Sequence, residues 1–185
     1  MINESFFNTY PKLESERLIY RALLKSDAKD ILSIRSNDEV MNYMDSDKHE
    51  SIEKSEKFIE HGIDTYAKKL GFFWAIIEKS TGELIGDFSF WKIDHKNNRA
   101  EIGYSLKSQF WGKGYMNETI NQLVKFGFED LNLHSFEANI NPENNSSRKL
   151  LLKAGFNKEA YFKENYYFDG KYLDSEIYSL VKSEN

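Results

Sequence analysis

Two glycines stand one residue apart in Gln109-Phe110-Trp111-Gly112-Lys113-Gly114-Tyr115-Met116, where a helical pattern begins. Glycine tolerates positive φ and carries no side chain to block an approaching group. A helix N-terminus adds about four unpaired N–H groups and about half a positive charge, which suit phosphate oxygens. The stretch therefore reads either as a tight turn or as a cradle for an anion. It is not a P-loop, because Lys113 lies between the glycines and a tyrosine follows Gly114. Nor is it the three-glycine dinucleotide fingerprint, whose third place is held by Asn117.

Two polar stretches flank it. In "RAEIGYSL" (Arg99–Leu106), Ala100, Ile102, Tyr104 and Leu106 alternate with Arg99, Glu101, Gly103 and Ser105, which puts Glu101 on the face of Gly103. Downstream, "NPENNSSRKLLLKAGF" reads as a polar turn, a helix and a Gly155 C-cap. Asn144 and Ser147 there are types favoured as helix N-caps.

The elements that must hold these residues follow from periodicity. Arg17–Leu24 reads as an opening strand. A short helix follows, capped by Ser26 or Asp27, with Ala28, Ile31 and Leu32 on one face. Asp38–Asp45 adds a helical turn. Ser51–Leu70 is an amphipathic helix whose apolar side carries Ile52, Ile59, Ile63, Tyr66, Ala67 and Leu70. Aromatic and β-branched runs at Phe72–Glu78, Leu84–Ile93 and Arg99–Leu106, separated by turn residues, predict an antiparallel meander. Tyr115–Asp130 is the next helix, and Ser135–Ile140 a short strand. Asp169-Gly170 marks a closing hairpin, with a loop of two residues or more. The prediction is one α/β domain over residues 1–185, with helices punctuating a mixed sheet.

Composition narrows the chemistry. With 25 basic and 30 acidic residues the net charge is −5, which argues against nucleic acid as the main partner and suits a cationic substrate. There is no cysteine, so disulfides, thiolate metal sites and cysteine nucleophiles are all excluded. His49, His61, His95 and His134 are scattered without metal-ligand spacing, so no metal is expected; His95 reads as a turn histidine. The start lacks a signal-peptide pattern, and no apolar run approaches the roughly 20 residues that span a membrane. The expectation is a soluble, cytoplasmic protein with no membrane partner.

The Gln109–Gly114 loop, "LIGDFSFWKIDHKNNRAEIGYSL" before it and "NPENNSSRKLLLKAGF" after it resemble the GNAT superfamily of N-acetyltransferases, and within it the RimJ/RimL-like ribosomal-protein branch. The resemblance covers roughly Leu13 to Val181. It implies a mixed, mostly antiparallel sheet of seven strands, splayed between the fourth and fifth and flanked by about four helices. By that resemblance, acetyl-CoA is the cosubstrate. Backbone N–H groups across Phe110–Met116 would take its pyrophosphate, and its pantetheine would pair with the backbone of Ile102, Gly103, Tyr104, Ser105 and Leu106. Asn144 and Ser147 match positions near the pantetheine or thiol end.

Acetyl transfer to an amine needs a neutral nitrogen, and for a lysine-like amine neutrality at pH 7 costs roughly 4–5 kcal/mol. A carboxylate can take that proton. Glu101 is the first candidate as base, against the alternative of a strand glutamate paired with a cation. Asp87 is a weaker candidate, for which a solvated or substrate-charge role is expected instead. Many GNAT enzymes carry a tyrosine acid where this chain has Leu151; Ser147 is then a candidate proton donor, and no dedicated acid is the alternative. Phe72, Phe73, Trp74, Phe88, Phe90 and Trp91 are expected in the core, and Trp111 is expected to shape the loop. "YFKENYYFDGKY" is expected at the acceptor cleft or at a contact between two copies in a homodimer. The acceptor is an amine, on a protein N-terminus or a small molecule; the rival reading is a non-catalytic CoA-binding or interaction module.

Overall fold

The structure is a computed structural model and describes residues 1–183. Its strands are β1 (Leu13–Glu14), β2 (Leu18–Ala22), β3 (Phe72–Glu78), β4 (Leu84–Phe90), β5 (Arg99–Leu106), β6 (Ser135–Ile140), β7 (Asn157–Phe168) and β8 (Lys171–Val181). Five α-helices punctuate them: α1 (Ala28–Arg35), α2 (Asp38–Met41), α3 (Ile52–Ala67), α4 (Tyr115–Glu129) and α5 (Asn145–Lys153). One sheet runs in the order β1-β2-β3-β4-β5-β6-β8-β7, antiparallel throughout except for β5 with β6. The fold is the expected one, with one strand and one helix beyond the rough count. Both additions are short: β1 has two residues, too few for a periodic pattern to show, and α2 has four, inside the helical turn expected over Asp38–Asp45.

β3 has both faces covered, which is why its sequence is nearly all apolar rather than alternating. Phe72, Trp74 and Ile76 join a core shared with α4 and with Ile2 and Phe7 of the N-terminal segment. Phe73, Ala75 and Ile77 pack with Ile31 and Ile34 of α1 and Ile59 of α3. Of the six aromatics expected inside, five are buried, and Trp91 is partly exposed.

The burial stripe of α3 differs from the expected one. Ser55, Ile59 and Gly62 are buried, whereas Ile63 and, beyond the helix, Leu70 face solvent. Gly62 explains the shift, since a Cβ there would stand 3.0 Å from Cγ of Phe73. The helix approaches β3 along a small-residue line, so its bulky residues lie off the contact. On α4 the buried face carries Met116, Ile120, Leu123, Val124 and Gly127, and Gly127 is crossed even more closely, by the ring of Phe136 on β6. β7 and β8 are joined by a two-residue turn, with Asp169 at φ 46° and Gly170 at φ 80°. Both values are positive, as a twisted hairpin's type I′ turn requires.

Candidate active site

The sheet is incomplete at its middle. β5 pairs with β6 only through Arg99, Ala100 and Glu101, opposite Ser135, Phe136 and Glu137. Beyond Glu101 the two strands part. Ile102 to Leu106 stay paired with β4 on their other side, from Phe90 to Gly86. One edge of β5 is therefore open in the interior of the sheet, between the strands the resemblance counts as fourth and fifth. The added β1 makes them β5 and β6.

The glycine loop lies where that open edge ends. Ser108–Phe110 forms a single 3₁₀ turn, and Nε1 of Trp111 donates to the Leu106 carbonyl at 2.8 Å, which ties the loop to β5. Gly112 and Gly114 both take positive φ, 72° and 81°, and Gly114 is the left-handed residue that opens α4. Arg17 clamps the loop from β2's approach: its guanidinium donates to the Lys113 carbonyl at 3.0 Å and pairs with Glu118 at 2.7 Å. It also lies 4.3 Å from the centre of the Tyr115 ring. The first N–H that closes onto the helix is that of Glu118, onto Gly114.

The N–H groups of Phe110 and Trp111 are already bonded, to Lys107 and Ser108 carbonyls, so these two positions are corrected out of the expected set of free donors. Among the described residues, the N–H groups from Gly112 to Asn117 carry no such bond outside the helix ladder. Oδ1 of Asn117 is buried there without a partner. Space beside Gly112 and the unbonded N–H groups fit an anionic ligand; the Asn117 oxygen, an acceptor, adds nothing to that fit. The side chains of Gln109 and Lys113 are exposed, Met116 is buried, and the Tyr115 hydroxyl donates to Glu78.

Across the open edge stand Asn144 and Ser147, at the turn from β6 into α5. The Asn144 carboxamide accepts from the Ser147 N–H at 3.0 Å, so Asn144 is the N-cap of α5. The Ser147 hydroxyl meets the Tyr104 hydroxyl at 2.6 Å, a contact between residues 43 apart in the chain. Tyr104 stacks on Phe88, and burial pushes its phenol up to about 12. The sequence reading used only the backbone of Tyr104; nothing in the local pattern pointed its side chain at α5.

The two carboxylates separate clearly. Glu101 is 13% exposed and pairs with the exposed Lys92 at 2.9 Å. Its carboxylate lies at the last rung before the strands part. Asp87 is not solvated, which corrects the expectation. It is 4% exposed, lies 3.4 Å from the Arg35 guanidinium and accepts a hydrogen bond from the Ser105 hydroxyl. A carboxylate held this way inside the α1 face has both oxygens engaged by the protein. His95 serves a turn, with Nε2 2.6 Å from the Lys69 carbonyl.

A cleft of about 1070 Å³ opens at the end of the molecule that carries Asn144. One wall is the segment from α2 to α3, with Asp38, Asp45, Asp47 and Glu50; the other is the β7–β8 hairpin, with Asp169 and Asp174. Its floor is Asn141, Pro142 and Glu143. Seven carboxylates face three lysines in the lining. The Tyr166 hydroxyl donates to Asp45 at 2.7 Å and so joins the two walls. "YFKENYYFDGKY" supplies Tyr161, Phe168 and Tyr172 here, at the cleft rather than away from it.

The family of acetyltransferase (GNAT) domains matches residues 17–157 of the chain. The chain belongs to that family. This GNAT acetyltransferase is 38% identical over 173 residues to YoaA, an uncharacterized N-acetyltransferase of Bacillus subtilis (strain 168), with 94% of this chain and 98% of the relative covered. It is 25% identical to the spermidine N(1)-acetyltransferase of Vibrio cholerae, over 92% of this chain and 96% of that one. Among solved structures, the ribosomal-protein-S5-alanine acetyltransferase of Vibrio fischeri superposes with a TM-score of 0.81 at 26% identity, over 92% of this chain and 96% of that chain. The protein is an acetyl-CoA-dependent N-acetyltransferase. No helix among the described residues is long and apolar enough to cross a membrane.

Proposed function

We propose that the enzyme acetylates a primary amine on a cationic acceptor, either a protein N-terminus or a small molecule, seated in the acidic cleft. The observation that carries this is continuity: the floor of the cleft, Asn141 to Glu143, runs directly into Asn144 and Ser147. The acceptor's cleft and the open edge of β5 therefore meet at one turn of the chain. Acidic walls concentrate cationic acceptors by attraction. Two relatives support both acceptor types, one named for spermidine and one for a ribosomal-protein alanine.

Acetyl-CoA, when bound, supplies an activated acyl carbonyl. Every other role belongs to the chain. The N–H groups from Gly112 to Asn117 hold the pyrophosphate, with the positive end of α4 behind them. The open edge of Ile102–Leu106 holds the pantetheine as an added strand would be held. Glu101 removes the ammonium proton of the acceptor, directly or through water, once its exposed Lys92 partner swings aside. Ser147 faces the departing sulfur at the N-terminus of α5.

The test is a thiol-release assay across amines of graded charge: polyamines, basic N-terminal peptides, neutral amines and acidic N-terminal peptides. The expected order of kcat/KM follows positive charge. Equal rates for acidic and basic acceptors of the same size would overturn the cationic assignment.

A further inference from the structure

We infer that Tyr104 is a positioning residue: its hydroxyl donates to Ser147 and so turns the Ser147 O–H toward the sulfur that leaves. The inference rests on the donor-site reading above and deepens it. Its basis is the geometry of two hydroxyls that bridge the open edge of the sheet.

The Tyr104 ring is fixed by the stack on Phe88, and among the described residues its hydroxyl has Ser147 as its one hydrogen-bond partner, at 2.6 Å. Geometry alone allows either hydroxyl to donate. A phenolic O–H is the stronger donor of the two, and an aliphatic hydroxyl oxygen the better acceptor. Tyr104 is therefore assigned as donor and Ser147 as acceptor. The Ser147 proton then has no acceptor among the described residues. Asn144 fixes the backbone of the same serine from below, so both the position and the rotation of the hydroxyl are set.

The arrangement favours hydrogen bonding to the sulfur over delivery of a proton. A phenol held at about 12 is a far weaker acid than a thiol near 8.5, so passing its proton through Ser147 to a thiolate runs uphill by more than three pH units. A tyrosine that stays protonated throughout is instead a fixed donor. As the C–S bond breaks, the electron pair goes to sulfur, and the sulfur gains one oriented O–H donor and the positive end of α5. The proton needed to form neutral CoA comes later, from solvent.

The experiment reads the bound thiol directly. CoA carrying ¹³C beside its sulfur is bound to the wild type, Tyr104→Phe, Ser147→Ala and the double variant, and the thiol is titrated by NMR. The thiol is expected to ionise about one pH unit lower on the wild type than on either single variant, with the double variant no different from the singles. In parallel, kcat with a reactive amine should fall roughly tenfold in each single variant, with no further loss in the double and unchanged acetyl-CoA affinity. A wild-type titration in Tyr104→Phe, with Ser147→Ala shifted, overturns the role of Tyr104 and leaves the donor-site reading standing. No shift in either variant overturns both, as does failure of CoA to bind the wild type.

Discussion

Gly112 has φ 72° and nothing within 4 Å of where a Cβ would stand. The protein itself leaves room for a side chain there, at a strain cost of about 1–2 kcal/mol for the left-handed backbone. The space is needed only if a ligand fills it. Gly112→Val should fold with a modestly lower Tm and bind acetyl-CoA at least tenfold more weakly by calorimetry; unchanged affinity would remove the loop assignment. Glu101→Gln should lower kcat by about 10²-fold or more while acetyl-CoA affinity holds, most clearly at low pH. A normal pH–rate profile in that variant ends its candidacy as base. The loop and Glu101 were legible because each sits in a local pattern, strand or strand-to-helix turn. The Tyr104–Ser147 and Arg35–Asp87 contacts were not, since they join residues 43 and 52 positions apart.

At the level of elements, the outer strands are held to α5 by one carboxylate. Glu176 on β8 is 3% exposed and receives Arg148 from α5, Lys158 from β7 and the Tyr178 hydroxyl. Burial alone would raise it, but these hydrogen bonds outweigh that and hold it at about 2, below its ordinary 4.5. Because the folded value is the lower one, the stabilisation is complete above pH 4.5 and drains away as pH falls toward 2. Acid unfolding monitored by circular dichroism should show the wild type losing stability over that window. Glu176→Gln should be less stable at neutral pH and show a flatter slope below 4.5. The elements themselves were readable where burial is periodic, as in β6 and α4, or where a short apolar run is bounded by turns, as in β3. On α3 the helix and the inward Ile52, Ile59 and Tyr66 were legible, but Ser55 and Gly62 in its contact line were not, because small residues carry no hydrophobic signal.

On the scale of the whole molecule, a net charge of −5 says little until the topology sorts it. Asp45 and Asp174 are far apart in sequence, and only the fold brings their segments face to face across the cleft. That arrangement predicts a salt effect. For a polycationic acceptor, kcat/KM should fall several-fold as salt rises from low to physiological ionic strength, while a neutral amine of similar size should hold steady. Equal salt dependence for both would place the acceptor elsewhere.

The parting of β5 from β6 has a cost of its own. Five residues of strand present an unmated edge inside the sheet, and an unmated edge is a template for any extended chain. Bound along that edge as proposed, the cosubstrate would also be a plug. Without it, the groove invites a neighbour's strand, and the protein should clump in solution more readily than with CoA present. Storage with the cosubstrate, rather than any change of sequence, is the natural remedy.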